Sequence, residues 1–178
     1  RIANVLRIVQ SRLEQKPVVV VSAMSGITDM LIDSARAAAR GQDTVYREAK
    51  AAMLKRHLDA VDVLLANSAE RVEVAGMIED RLHEFERLCR SIAVLGEVTQ
   101  RGYDAVASSG EELSSRVVAA TFSAAGVRAR AISATRLIVT DAHFGAARPR
   151  MDLTRQRVGE LIPDLVDRGI VPVVTGYL

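Results

Sequence analysis

Two short stretches of this chain are apolar at successive rather than alternate positions: Val18 to Val21 and Ile170 to Thr175. A strand with one wet face alternates apolar and polar residues, whereas a strand apolar throughout is covered on both faces. Sheets built from such strands are mostly parallel, because the long crossovers that parallel pairing needs lay helices over both faces. Helical segments separate the two runs here, so the chain is predicted to be α/β with a mostly parallel, doubly covered sheet. Helix, glycine, strand occurs twice, at Gly126 before a candidate strand Val127–Ile132 and at Gly169 before the run at Ile170. A further short strand is expected at Leu137–Val139.

The remaining segments carry helical periodicity. Ile2 to Leu13 has a broad apolar face and ends before Pro17. Ile27 to Arg40 is a second helix, stopped by Gly41 in a left-handed turn. Two long helices follow, one over about Thr44–Ala66 and one from Asn67 or Ser68 to Gly96. Leu54, Leu58, Val61 and Leu65 mark the inward stripe of the first; Val74, Ile78, Leu82, Phe85, Cys89 and Ile92 mark that of the second. Asn67 and Glu70 have capping-box spacing. The short joint predicts an antiparallel hairpin, read as an appendage on the α/β body. Glu111 to Ala125 is expected to be helical with Leu113, Val117, Ala120 and Ala124 inward. Asp152 to Asp167 is helical although Pro163 cannot donate to the Gly159 carbonyl.

Composition removes several function classes. Of 178 residues, 49% are hydrophobic and 26% charged, a core-forming balance. Net charge is +2 with Arg interleaved among Asp and Glu, and aromatics make up only 3% with no Trp, so no nucleic-acid surface is expected. The longest apolar run, Pro17 to Ala23, is too short to span a bilayer. The single cysteine, Cys89, excludes an internal disulfide and fits a reducing, cytoplasmic compartment; its helical setting reads as inert core. His57, His83 and His143 lack metal-ligand spacing, so no metal site is expected within the chain.

Four constellations could carry chemistry. The turn Ser22-Ala-Met-Ser25-Gly26-Ile-Thr28-Asp29 follows a buried strand and opens a helix. Ligands of open α/β sheets bind there, although Ser25, Thr28 and Asp29 equally suit helix capping. In Ser108-Ser109-Gly110-Glu111-Glu112-Leu113-Ser114-Ser115, a carboxylate at a helix start could take an ammonium group. Ser108 with Glu111, and Ser109 with Glu112, also read as capping boxes. The loop from Thr140 to Pro149 holds His143, which could titrate near neutrality or be merely solvated. Gly176, after the last strand, could let backbone approach a ligand or simply turn the chain.

In this order the pieces resemble the aspartate kinases of the amino acid kinase family. Val19-Val-Val-Ser22-Ala-Met-Ser25-Gly26-Ile-Thr28-Asp29 is similar to that family's V-V-S-A-x-x-G-I/V-T-N/D segment. Ser109-Gly110-Glu111-Glu-Leu-Ser114 is similar to its G-E-x-x-S/A motif. Asp141-Ala-His-Phe144-Gly145-Ala-Ala-Arg-Pro149 and Val171-Pro-Val-Val-Thr-Gly176-Tyr177 follow its D-x-x-F-G-x-A-x-P and V-P-V-x-T-G-F/Y pieces. The long helical pair, residues 44–96, corresponds to its helical insertion.

The resemblance implies a three-layer αβα sandwich and ATP-dependent phosphorylation of the L-aspartate β-carboxylate, with Mg2+. It implies that Thr28 and Glu111 contact aspartate, Glu111 through the α-ammonium group, with Ser22 beside them; Gly176 is a candidate on the nucleotide side. It further implies a homo-oligomeric parent. The family's Lys-Phe-Gly-Gly motif would lie before Arg1, and its Arg-Gly-Gly-Ser-Asp motif and ACT domains after Leu178, so a partial catalytic domain, inactive alone, is expected. Ser109 stands where the family commonly carries an aromatic residue or His. The competing readings are an acetylglutamate or glutamate kinase, and a non-catalytic interaction module presenting an exposed apolar stripe over residues 54–92.

Overall fold

A computed structural model describes residues 1–176. In chain order the elements are α1 (Ile2–Gln10), β1 (Val19–Val21), α2 (Ile27–Ala39), α3 (Asp43–Leu64), α4 (Arg71–Leu95), α5 (Gln100–Ala124), β2 (Ala129–Ile132), α6 (Met151–Asp167) and β3 (Val171–Thr175). Single 3-10 turns occupy Leu13–Gln15 and Ala134–Arg136.

The sheet is parallel throughout, in the order β1-β3-β2, with Val19 opposite Val173 and Ala131 opposite the same residue. All five residues of the central β3 are buried, as its continuous apolar run requires. Pro172 is tolerated there for a geometric reason. The Gly176 amide donates to the Val21 carbonyl and the Val171 amide to that of Arg128, so even-numbered donors of β3 face β1. The donor that Pro172 lacks would point past Val19, where β1 has not yet begun.

One face of the sheet packs Val171 and Val173 against Val118, Ala119 and Phe122 of α5 and Val9 of α1. The other packs Ile132 and Val174 against Leu165 of α6 and Leu137. These are the three layers of the αβα sandwich. The edge strand β1 departs from expectation. Val19 and Val21 face the α5 side, but Val20 is 66% exposed and Val18 45% exposed, because α6 does not extend over β1.

The helical hairpin also departs from its sequence reading. It is antiparallel, with Lys50 of α3 bonded to Glu86 of α4 at 2.6 Å and Asp62 to Arg71 at 2.6 Å. It is no appendage: Met53, Val61, Ile78, Leu82 and Phe85 share one core with Ile27 and Leu31 of α2 and with Val106, Leu113 and Val117 of α5. The apolar stripe that an interaction module would present is buried inside this helical layer. On α3 the inward stripe is Tyr46, Met53, His57 and Val61, one position off Leu54 and Leu58, since a histidine occupies a core position. α4 starts at Arg71 with no side-chain cap; Asn67 and Glu70 form no capping box, and the Glu70 amide donates instead to Ser68 Oγ. Cys89 is fully buried, and burial, with Glu86 adding, pushes its thiol up to about 12, so it stays an inert, protonated core residue.

Three further boundaries move. α5 starts eleven residues before Glu111, at Gln100, where Thr99 Oγ1 accepts from the Gly102 amide; its outer end leaves Ala124 exposed. No strand forms at Leu137–Val139; the 3-10 turn occupies the approach, and only an isolated antiparallel bridge joins Thr140 to Pro149. α1 ends at Gln10, three residues early, as the chain tightens toward Pro17.

His57 donates from Nδ1 to the Met53 carbonyl at 2.7 Å, while Nε2 is buried without a partner among the described residues. Burial lowers its pKa below the ordinary 6.5, with the Arg56 charge adding to the effect and the Met53 bond opposing it. The unfolded chain therefore binds the proton more readily than the fold. Stability should hold above pH 6.5 and decline as pH falls through and below it, and His57→Leu should flatten that decline in urea unfolding. The shared core makes a second prediction. Phe85 is fully buried, so Phe85→Ala should cost about 3–5 kcal/mol in a single cooperative transition. An appended hairpin would instead unfold in a separate phase.

Candidate active site

The first site element is the turn after β1. Val21 closes the strand, Ser22 to Gly26 turn the chain, and Gly26 at φ +77° caps α2 in a left-handed conformation that a side chain would strain. The helix has no side-chain cap, so Ser25, Thr28 and Asp29 do not serve the capping role their types suggest. Ser22, Ser25 and Thr28 are exposed.

The second element is the middle of α5. Ser109, Gly110, Glu111, Ser114 and Ser115 are all buried in an uninterrupted helix. The capping-box readings of Glu111 and Glu112 fail with the helix start. The serines that resembled a cap turn back onto their own helix, Ser108 Oγ to the Ala105 carbonyl at 3.1 Å and Ser115 Oγ to that of Glu112 at 3.0 Å. Glu112 turns outward to pair with Arg81 of α4 at 2.6 Å. Glu111 turns toward the strand ends and is 7% exposed.

Two contacts join these elements. A Cβ on Gly110 would lie 3.0 Å from Ala23 Cβ, 3.1 Å from Leu31 Cδ1 and 3.2 Å from Ile27 Cγ2, so a side chain here would push α5 and the turn apart by a few tenths of an ångström. Four residues on, Ser114 Oγ donates to the Ser22 carbonyl at 2.7 Å. At the end of β3, a Cβ on Gly176 would lie 3.7 Å from Glu111 Oε2 and 3.4 Å from the Val21 carbonyl. Ser22, Glu111 and Gly176 thus meet at the carboxyl ends of β1 and β3, the crevice where open α/β sheets bind ligands. Thr28 lies in the first turn of α2 on the same connection. Tyr177, the last residue of that strand's motif, lies outside the described residues.

The loop from Thr140 to Pro149 is structural in its contacts. Asp141 Oδ1 accepts from the amides of His143 and Arg148, each at 3.1 Å. Those bonds, Arg148's first, hold its carboxyl below the usual aspartate range. The Gly145 amide donates to Asp104 Oδ2 at 2.9 Å, and Arg101 lies over the Phe144 ring, docking the loop on the start of α5. The His143 side chain is exposed, with Nδ1 3.3 Å from Asp141 Oδ2.

Two clefts lie elsewhere, one of about 250 Å³ at the hairpin joint and one of about 320 Å³ between α4, α5 and β2. Neither includes Ser22, Thr28 or Glu111. No three His, Cys, Asp or Glu side chains converge as metal ligands among the described residues. No helix of the described residues is long and apolar enough to cross a membrane.

The model of the amino acid kinase family matches residues 1–178. The chain belongs to that family. Aspartokinase 3, chloroplastic, of Arabidopsis thaliana is 30% identical over 181 residues; the match covers all of this chain and 31% of that protein. Aspartokinase 1, chloroplastic, of the same plant is 30% identical over 183 residues with the same coverage. The chain therefore spans about a third of the length of these relatives. Among solved structures, E. coli aspartokinase III with aspartate and ADP superposes with a TM-score of 0.71 at 21% identity, over 98% of this chain and 37% of that one. The same enzyme with lysine and aspartate gives 0.69 at 19% identity, over 89% and 33%. These likenesses agree with the amino acid kinase fold.

The close approach at Gly110 is testable. Gly110→Val should cost about 1–3 kcal/mol through overpacking against the turn. Gly76, on α4 with nothing within 4 Å of an added Cβ, is the control: Gly76→Ala should gain about 0.5–1 kcal/mol from helix propensity. Urea unfolding of both variants reads the contrast.

Proposed function

We propose that the chain is the aspartate-binding part of the catalytic domain of an aspartate kinase, with the hairpin over residues 44–96 as that domain's helical insertion. The observation that carries this reading is the buried carboxylate of Glu111 at the strand ends, beside a turn of exposed hydroxyls. The similarity to plant aspartokinases supports it, as does the kinship in fold with an aspartokinase crystallised with aspartate and ADP.

In this reading Glu111 holds the α-ammonium group of L-aspartate through a charge-assisted bond in a low-dielectric pocket. Thr28 bonds the substrate as a neutral partner, and Ser22 lines the same pocket. With the amino acid fixed at its ammonium end, a β-carboxylate oxygen is aimed at the γ-phosphorus of ATP. Attack forms the acyl-phosphate bond, and ADP leaves with the electron pair of the broken bond. Such a reaction depends on positioning and charge neutralisation more than on covalent participation by the protein. Gly176, lacking a side chain, is the position where backbone can approach the nucleotide side. Mg2+ would supply neutralisation of the phosphates, but the described residues offer no ligand cluster for it, and Glu111, Thr28 and Ser22 act on the amino acid without it. The complete protein is taken to be a cytoplasmic homo-oligomer.

With the capping role of Glu111 removed, one substitution tests the assignment cleanly. In the complete enzyme, Glu111→Gln should lower kcat/KM for aspartate by roughly one to two orders of magnitude, the worth of a bond to a charged group. Stability should change by less than about 1 kcal/mol. Thr28→Ala should raise the KM for aspartate more than that for ATP, at a cost of about 0.5–1.5 kcal/mol. Unchanged aspartate kinetics in Glu111→Gln would remove it from the site.

A further inference from the structure

We propose that Arg56, on the helical hairpin, is a further substrate-binding residue of this site and pairs with a carboxylate of the dicarboxylic amino acid; this rests on the aspartate kinase reading. The geometry begins with α3, whose buried residues on either side of Arg56 fix its direction: Met53 and His57 are both fully buried. Arg56 therefore leaves the helix at a defined place. Its Nη1 lies 3.8 Å from where a Cβ on Gly26 would stand, so the guanidinium stands over the glycine that opens α2, between Ser22 and Thr28 in sequence.

Its electrostatic situation differs from that of the other cations on α3. Arg47 pairs with Asp43, Lys50 with Glu86 and Lys55 with Asp59. Arg56 has no carboxylate partner and no side-chain hydrogen bond among the described residues. A planar guanidinium presents a fork of donors that fits a carboxylate, and here the fork stands beside Gly26, in the turn that carries Ser22 and Ser25 and leads to Thr28. An aspartate held by its ammonium at Glu111 carries two carboxylates, and one of them is the anion that Arg56 meets. The hairpin, held in the domain's core by its apolar stripes, thereby becomes part of the substrate site.

The test uses the complete enzyme with L-aspartate and ATP. Arg56→Gln should raise the KM for aspartate about tenfold, the loss of one charge-assisted bond, while the KM for ATP and the thermal midpoint stay within error. Arg56→Lys, which keeps the charge and loses the fork, should recover part of the loss. Added salt should raise the aspartate KM of the wild type more than that of Arg56→Gln. An aspartate KM within twofold of wild type in Arg56→Gln overturns this inference alone. A wild type that phosphorylates no aspartate overturns the parent reading and this inference together. Equal rises in both KM values would move Arg56 off the aspartate carboxylate and also overturn it.

Discussion

At Gly110 the missing side chain lets the middle of α5 press against Ala23, Ile27 and Leu31 so closely that a methyl group would force its neighbours to shift by a few tenths of an ångström. The candidate site is a consequence of that contact. It brings the β1–α2 turn onto α5, where Ser114 ties the Ser22 carbonyl, and it sets Glu111 one residue further round the helix toward the ends of β1 and β3. The same helix buries its other flank against the sheet through Val118, Ala119 and Phe122. α5 is therefore the shared wall of two cores, and a shift of the turn would have to disturb both.

Much of the architecture was legible because burial on both faces leaves an unmistakable pattern. The run at Val171 to Val174 is continuous because β3 is central, and the glycines at 41, 96, 126 and 169 end helices in left-handed conformations as expected. The legible features fail where tertiary packing outweighs local preference. Ser108, Ser109 and Gly110 have poor propensity for a helix interior and suggested a start. The helix passes through them because Val106 and Leu113 on either side are fully buried in one core. Extending the apolar period of α5 upstream through Val106 would have revealed the longer helix. On α3 a buried histidine hid the inward stripe, and at β1 the run of valines concealed an edge strand with an exposed face.

The candidate site residues were legible only in part. Ser22, Thr28 and Glu111 stood out by residue type and order, yet type alone left capping as a rival use. Helix boundaries, which no local pattern fixes, remove the capping use: α2 takes Gly26 as its cap, and α5 starts far from Glu111. Arg56 left no signal at all, since a cation on a polar helix face is ordinarily solvated. Its place over Gly26 depends on how the hairpin packs, which pairs residues thirty positions apart.

The central claim is that the Glu111 carboxylate recognises the ammonium group of the substrate. Succinate has the two carboxylates of aspartate and lacks the ammonium, so the ratio of their dissociation constants isolates that one contact. Calorimetric titration of both ligands into the complete enzyme and into Glu111→Gln measures it directly. The wild type should prefer aspartate by roughly one to two orders of magnitude, and the variant should lose most of that preference. A variant that keeps the full preference for aspartate over succinate would contradict the assignment.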